Sequence, residues 1–379
     1  CDWSSDVCSS DLPQWLVPIE PAGWLTDHAV ALKDGAILDV LPADAARERY
    51  AATRIVELPD HALMPGLVNL HGHAAMTLMR GFADDLPLMT WLGERIWPAE
   101  KQHVSEAFVR DGSLIAAAEM LAGGITTTND MYFFPGAAAE AFLQAGLRAV
   151  LGMIVLESPS AWAVDADDYL AKGLALRDTL KDEPLLSFAF APHAPYTVSD
   201  ATFGRIGTLA EQLGVPIHTH IHETADEIAG SLRQYGVRPL ERLARQGLLG
   251  PNFIGVHAVH LSEAEIDSLA THGCHIAHCP ASNLKLASGI APISALRQAG
   301  VNVGFGSDGA ASNNRLDLFA EMRLAALLAK GASGDAAALP AAAALRAATL
   351  DAARALNLDA LIGSIVPGKA RAASSVADA

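Results

Sequence analysis

Cysteine is scarce in this sequence: Cys1, Cys8, Cys274 and Cys279 are the only four in 379 residues. No two are spaced C-x-x-C, and four thiols in a chain this long make no disulfide framework. A reducing, cytoplasmic setting is therefore expected. Positive charge is in deficit too, with 26 Lys and Arg against 43 Asp and Glu, a formal charge of −17. That balance argues against nucleic acid or an anionic membrane as partner and otherwise serves solubility. No apolar run reaches membrane-spanning length, and no charged-then-apolar signal segment opens the chain.

What the chain does have is apolar material, 51% of its residues, enough for a large buried core. Its length exceeds the usual single-core size, which favours one large barrel with a minor domain. Residues 1–12, CDWSSDVCSSDL, show no strand or helix period. They read as a non-native artefact and are set aside from the fold. Residues 13–64 alternate as short strands with Asp34-Gly35 as a hairpin turn. Together with residues 360–379 they form the expected small β-sandwich domain, composite from both termini. The closing RAASSVADA has no strand pattern, so this domain is expected to be incomplete at both ends.

Residues 65–359 change character. Eight apolar β-type runs (LVNLH, GITTTND, LRAVLGMIVL, LLSFAFAPH, VPIHTHIH, FIGVHAVH, CHIAHCP, VNVGFGSD) alternate with Ala/Leu-rich helical stretches, several stopped by glycine. The expected fold class is α/β, a (β/α)8 TIM-like barrel. A doubly wound open sheet is the competing architecture, but it would place its ligand at one switch point.

Polar residues cluster where these runs end. His71 and His73 close the first run, and His193 closes the fourth. His220 and Glu223 close the fifth, His257 the sixth and Asp308 the eighth. Collecting side chains from many strand ends is how such a barrel builds one active site. Histidine with carboxylate is the ligand chemistry of zinc and related metals. In a strand, His71 and His73 share a face about 6–7 Å apart at their Cα atoms and can converge on one ion. His218, His220 and His222 share a face if their strand is regular, and only one or two can be ligands. His222-Glu223 does not open an H-E-x-x-H site, because Asp226 stands at the second histidine position. Each residue has a plainer reading: core histidines for His193 and His257, a helix N-terminal acid for Glu223, an Asp-Gly turn for Asp308. Their shared placement favours the functional one.

PGLVNLHGHAAMTLMRGFADDLPLMTWL, APHAPYTVS, HTHIHET, GVHAVHLS, HCPASNLKLASG and GSDGAASNN occur in the order found in the amidohydrolase superfamily. The chain resembles that superfamily over about residues 14–370, in the branch of triazine hydrolases and methylthioadenosine/S-adenosylhomocysteine deaminases. The resemblance implies that His71, His73, His220 and Asp308 bind one divalent metal, zinc or iron. It implies that Glu223 shuttles a proton to the substrate ring while His257 and Asp308 orient and deprotonate the attacking water. Trp91, Glu100, Arg148 and His193 fall at substrate-contacting positions, Glu100 on ribose hydroxyls; Glu223 and Asp308 also face substrate. The implied reaction is hydrolytic deamination of 5′-methylthioadenosine, S-adenosylhomocysteine or adenosine to the inosine derivative and ammonia. Guanine or cytosine deamination, triazine hydrolysis, and metal binding without turnover are the alternatives. The expected partners are a small-molecule nucleoside and further copies of the chain in a dimer or tetramer, with neither nucleic acid nor membrane.

Overall fold

The apolar runs become parallel strands buried along nearly their whole length, as strands covered on both faces must be. A computed structural model describes residues 6–7, 9–370 and 373–377. Among these, eight parallel strands form one sheet in which every strand lies beside its sequence neighbours. They are Leu67–Gly72, Ile125–Asp130, Arg148–Val155 and Leu186–Pro192, then Ile217–Ile221, Phe253–His257, His275–His278 and Asn302–Phe305. Seven fall within the runs read from the sequence, and the first extends one residue past LVNLH to Gly72. Helices connect successive strands, capped by side chains such as Ser105, Ser199, Thr224 and Ser262.

The sheet closes on itself just past the eighth strand. Gly72 and Asp308 form an isolated parallel bridge, and the Asp308 amide donates to the His71 carbonyl at 3.0 Å. This approach requires a glycine at position 306. A Cβ there would lie 2.7 Å from the His71 Cβ and 2.9 Å from its backbone N and O. Closure therefore brings the first and last barrel strands to the same point, where His71 and Asp308 meet.

The smaller domain holds a mixed sheet of five described strands, ordered Ala373–Ala377, Ile55–Pro65, Ser9–Leu16, His28–Lys33 and Ala36–Pro42, and a two-stranded parallel sheet of Asp6–Val7 and Ala51–Ala52. Asp34 and Gly35 both take positive φ, 49° and 78°, as the expected hairpin turn demands. Ile55–Pro65 passes through Gly66 directly into the first barrel strand.

Three expectations change. Residues 9–12, expected to stand outside the fold, belong to it, because Ser9–Leu16 is a central strand and Ser9, Ser10 and Asp11 are buried. Cys1 and Cys8 lie outside the described residues. In the closing segment, Ala373–Ala377 pairs antiparallel with Ile55–Pro65, although its small residues carry no strand period; backbone hydrogen bonds supply the pairing. His222 lies beyond the fifth strand, which ends at Ile221, and turns away at φ 52°. Among the described residues, no helix is long and apolar enough to cross a membrane.

Candidate active site

Strand ends deliver the site. His71 lies in the first strand and His73 just beyond it, while His193 follows the fourth strand directly. His220 lies in the fifth, His257 ends the sixth, and Asp308 sits three residues past the eighth. His257 and Asp308 take left-handed φ values of 70° and 57°, a conformation non-glycine residues adopt only where surrounding structure enforces it.

Four side chains converge. Ligand atoms of His71, His73, His220 and Asp308 all lie within 4.8 Å of one another. Asp308 Oδ1 is 3.1 Å from His71 Nε2 and 3.2 Å from His73 Nε2. Each histidine turns its other nitrogen outward. His73 Nδ1 donates to the Met131 carbonyl at 2.5 Å, and His220 Nδ1 to the His193 carbonyl at 2.7 Å. A carbonyl only accepts, so in both rings Nδ1 carries a proton and Nε2 is the atom turned to the cluster. His71 Nδ1 pairs instead with His218 Nε2 at 2.9 Å. Asp308 Oδ2 accepts from Ser282 Oγ at 2.5 Å and Ser312 Oγ at 2.8 Å.

The electrostatics suit a cation. Burial pushes His71 down to about 4 and His220 well below the usual imidazole range, so both rings are neutral lone-pair donors. Burial alone would raise Asp308, but hydrogen bonds from His71 and His73 outweigh it and hold the carboxylate ionised. Burial opposes the His73 charge as well, yet the Asp308 hydrogen bond and charge lift this ring to about 9. Three imidazoles and an ionised carboxylate, each oriented from behind, fit a single divalent metal, whose binding would displace the His73 proton.

Glu223 and His257 flank the cluster. Glu223 is buried, which raises its carboxyl against the opposing charge of His257. Its Oε2 is 3.7 Å from His257 Nε2, and Ser288 Oγ donates to its Oε1 at 3.4 Å. His257 Nδ1 is 2.8 Å from Asn283 Oδ1. His193 is neutral, pushed down to about 3 by burial; its Nδ1 lies 3.0 Å from Thr197 Oγ1.

A cavity of about 670 Å³, its open mouth included, faces these groups. Its walls include Trp91, Glu100, Tyr132, His193, Glu223 and Leu286. Such concave, largely apolar sites with a few placed polar groups are how proteins take small molecules. The Trp91 indole N–H is buried with no partner among the described residues. Tyr132 Oη donates to Glu100 Oε1 at 2.8 Å, while burial lifts Glu100 to about 7.

Every site residue expected from sequence reaches this face except Arg148. That residue begins the third strand, at the barrel's opposite end, where its guanidinium donates to the Pro184 carbonyl at 2.9 Å. A strand-opening residue cannot reach a site built at strand ends. Conversely, sequence reasoning missed Ser282, Asn283, Ser312 and Tyr132. The P-A-S-N and A-S-N-N segments just past strand ends were the available signal.

Sequence and fold comparisons agree with this geometry. Residues 62–376 match the amidohydrolase family. A 5-methylthioadenosine/S-adenosylhomocysteine deaminase of Saccharophagus degradans is 48% identical over 94% of this chain and 80% of its own length. The crystal structure of an adenosine deaminase from Xanthomonas campestris with bound zinc superposes with a TM-score of 0.97. It is 52% identical and the match covers 98% of this chain and 85% of that one. E. coli guanine deaminase shares the fold alone, at 24% identity and a TM-score of 0.86 over 96% of this chain and 88% of its own. By its sequence match, its barrel and its convergent histidines and aspartate, the chain belongs to the amidohydrolase family.

Proposed function

We propose that the chain is a metal-dependent deaminase that converts 5′-methylthioadenosine, S-adenosylhomocysteine or adenosine to the inosine derivative and ammonia. One observation carries this reading: the half-buried Glu100 lines the same apolar cavity as Glu223, His73, His220 and Asp308. That arrangement suits a purine at the cluster and a ribose diol at Glu100. The relatives described above carry names consistent with it. A guanine or triazine substrate, the alternative within the family, would give Glu100 no hydroxyls to bind.

Zinc is our reading of the metal, with iron the alternative, because three imidazoles and a carboxylate match its ligand preference. Bound there, the ion supplies a water acidified enough to attack at neutral pH. His71, His73, His220 and Asp308 would hold it. The rest falls to other side chains. His257 carries its own proton on Nδ1 against Asn283 and so offers Nε2 as acceptor for a proton of the attacking water. Glu223, raised by burial, passes a proton from its carboxyl to the purine ring nitrogen, so negative charge does not build up on the ring. Water adds at the amino-bearing carbon, His257 passes the proton it took to the amino group, the new hydroxyl returns its proton to Glu223, and the C–N bond breaks to release ammonia. Trp91 and His193 would contact the bound nucleoside.

A second cavity shares Trp97, Glu100, Phe133 and Leu156 with the first and continues past them to Ser158, Ser160 and Lys101. This is room for a 5′-substituent beyond the ribose. Cys274 and Cys279 are buried free thiols, which supports a reducing, cytoplasmic setting.

The test is ammonia release by zinc-loaded protein from a panel of adenosine derivatives, guanine, cytosine and a triazine. Release from the 5′-thio-nucleosides is expected. Release confined to free bases or the triazine would overturn the nucleoside assignment. No release from any member, with metal bound, would leave a metal-binding protein without turnover.

A further inference from the structure

Just behind Glu223, two consecutive amides point into one carboxylate. The His222 N–H donates to Glu227 Oε1 at 3.0 Å and the Glu223 N–H to Glu227 Oε2 at 2.8 Å. His222, at φ 52°, makes the bend that turns both amides the same way. Adjacent N–H groups so arranged form a concave cradle for an anion.

An ordinary helix cap does not explain this contact. Thr224 caps the helix Ala225–Tyr235 and accepts from the Glu227 amide at 3.3 Å. In a capping box the Glu227 carboxylate would return to the amide of Thr224. The helix Glu263–Thr271 does just that: Glu265 Oε2 accepts from the Ser262 amide at 2.8 Å. Glu227 instead reaches one and two residues further back, to the segment that carries Glu223. The His222 ring fixes the same bend from another side: its Nε2 accepts from the Leu240 amide at 2.9 Å, and its Nδ1 lies 3.2 Å from the His260 carbonyl.

We propose that Glu227 is a positioning residue for the reaction: its carboxylate, clamped on the His222 and Glu223 amides, sets where the Glu223 carboxyl sits relative to His257 and the substrate. This rests on the role given to Glu223 above. Glu227→Gln keeps the shape but retains one acceptor and turns a donor toward the second amide. Glu227→Ala leaves both amides without their carboxylate. A cavity lined by Asp226, Glu227, Arg233, Tyr235 and Arg242 opens onto Glu227, so a small carboxylate from solution can enter the vacated space.

The experiment measures kcat and KM for 5′-methylthioadenosine, zinc content and Tm for wild type, Glu227→Gln and Glu227→Ala, the first two also with Glu223→Gln. A misplacement of about 1 Å at a reacting group costs on the order of 100-fold. We expect kcat to fall about tenfold or more in Glu227→Gln, with KM and zinc content within about twofold. The fall should vanish in the Glu223→Gln background, and added formate should restore kcat of Glu227→Ala saturably. A kcat for Glu227→Gln within twofold of wild type would overturn the proposal. So would an undiminished fall beside Glu223→Gln, or, should Glu227→Gln not fold, no response of Glu227→Ala to formate. If wild type releases no ammonia, the fault lies with the deaminase assignment, and amide exchange then decides the clamp itself. Slow exchange at His222 and Glu223, lost in Glu227→Ala, supports it; unchanged exchange overturns it.

Discussion

Asn283 dictates which nitrogen of His257 is free: its Oδ1 sits 2.8 Å from His257 Nδ1. The Asn283 amide oxygen only accepts, so the imidazole proton is drawn to Nδ1 and Nε2 is left facing Glu223, 3.7 Å away. Replacing Asn283 with Ala should free the ring to rotate and exchange tautomers. Steady-state kinetics should show kcat about 10- to 100-fold lower, as for other orienting partners, with KM little changed. An unaltered kcat would mean that packing alone holds the ring.

Two hydroxyls do comparable service for Asp308. Ser282 and Ser312 donate to the oxygen that does not face the histidines, leaving Oδ1 toward the cluster. Ser282→Ala and Ser312→Ala should each weaken metal retention about tenfold, read by competition with a graded chelator. The double variant should lose more than either single one.

Glu100 gives the activity an acid limb. Burial raises its carboxyl to about 7, against the Tyr132 hydrogen bond and the charge of His73. As pH falls through 7 the group protonates and stops accepting from two hydroxyls, so KM for a nucleoside should rise. Glu100→Gln should show a high KM with this limb removed. The same shift sets a sign for stability. A carboxyl with its folded value above the unfolded one favours folding fully below the ordinary range near 4.5, and this is lost as pH rises through 7. Urea unfolding without substrate should therefore find Glu100→Gln less steeply destabilised than wild type between pH 5 and 7.

Arg148 supplies a negative control. It sits at the opposite end of the barrel on the Pro184 carbonyl. Arg148→Met should leave kcat/KM within about twofold while costing roughly 1 kcal/mol of stability for the lost hydrogen bond.

These residues also show why some of the molecule was readable in the sequence. Strands covered on both faces must be apolar throughout, so runs such as LLSFAFA and FIGV marked the barrel directly. A polar residue closing such a run, as His257 closes FIGVH, marked the site. Arg148 opens its run instead, and the same rule excludes it. His222 could not be placed by alternation, because alternation fails where the strand stops, at Ile221. The first residues of Ser9–Leu16, positions 9–12, were invisible because their neighbours recruit them through backbone pairing, which leaves no trace in their composition. Asn283 and Ser282 resemble any turn residues until the fold sets them behind His257 and Asp308.

The seam at Gly72 and Asp308 has a consequence for assembly. His71 and Asp308 are 237 positions apart, so a growing polypeptide lacks the aspartate of its four-residue ligand set until its eighth barrel strand has been made and docked. Loop-closure entropy opposes that late meeting, and an ion gripped from both sides offsets it only after docking. Full metal capture would therefore follow barrel closure and act as a latch, so that a metal-loaded molecule is one whose barrel has closed.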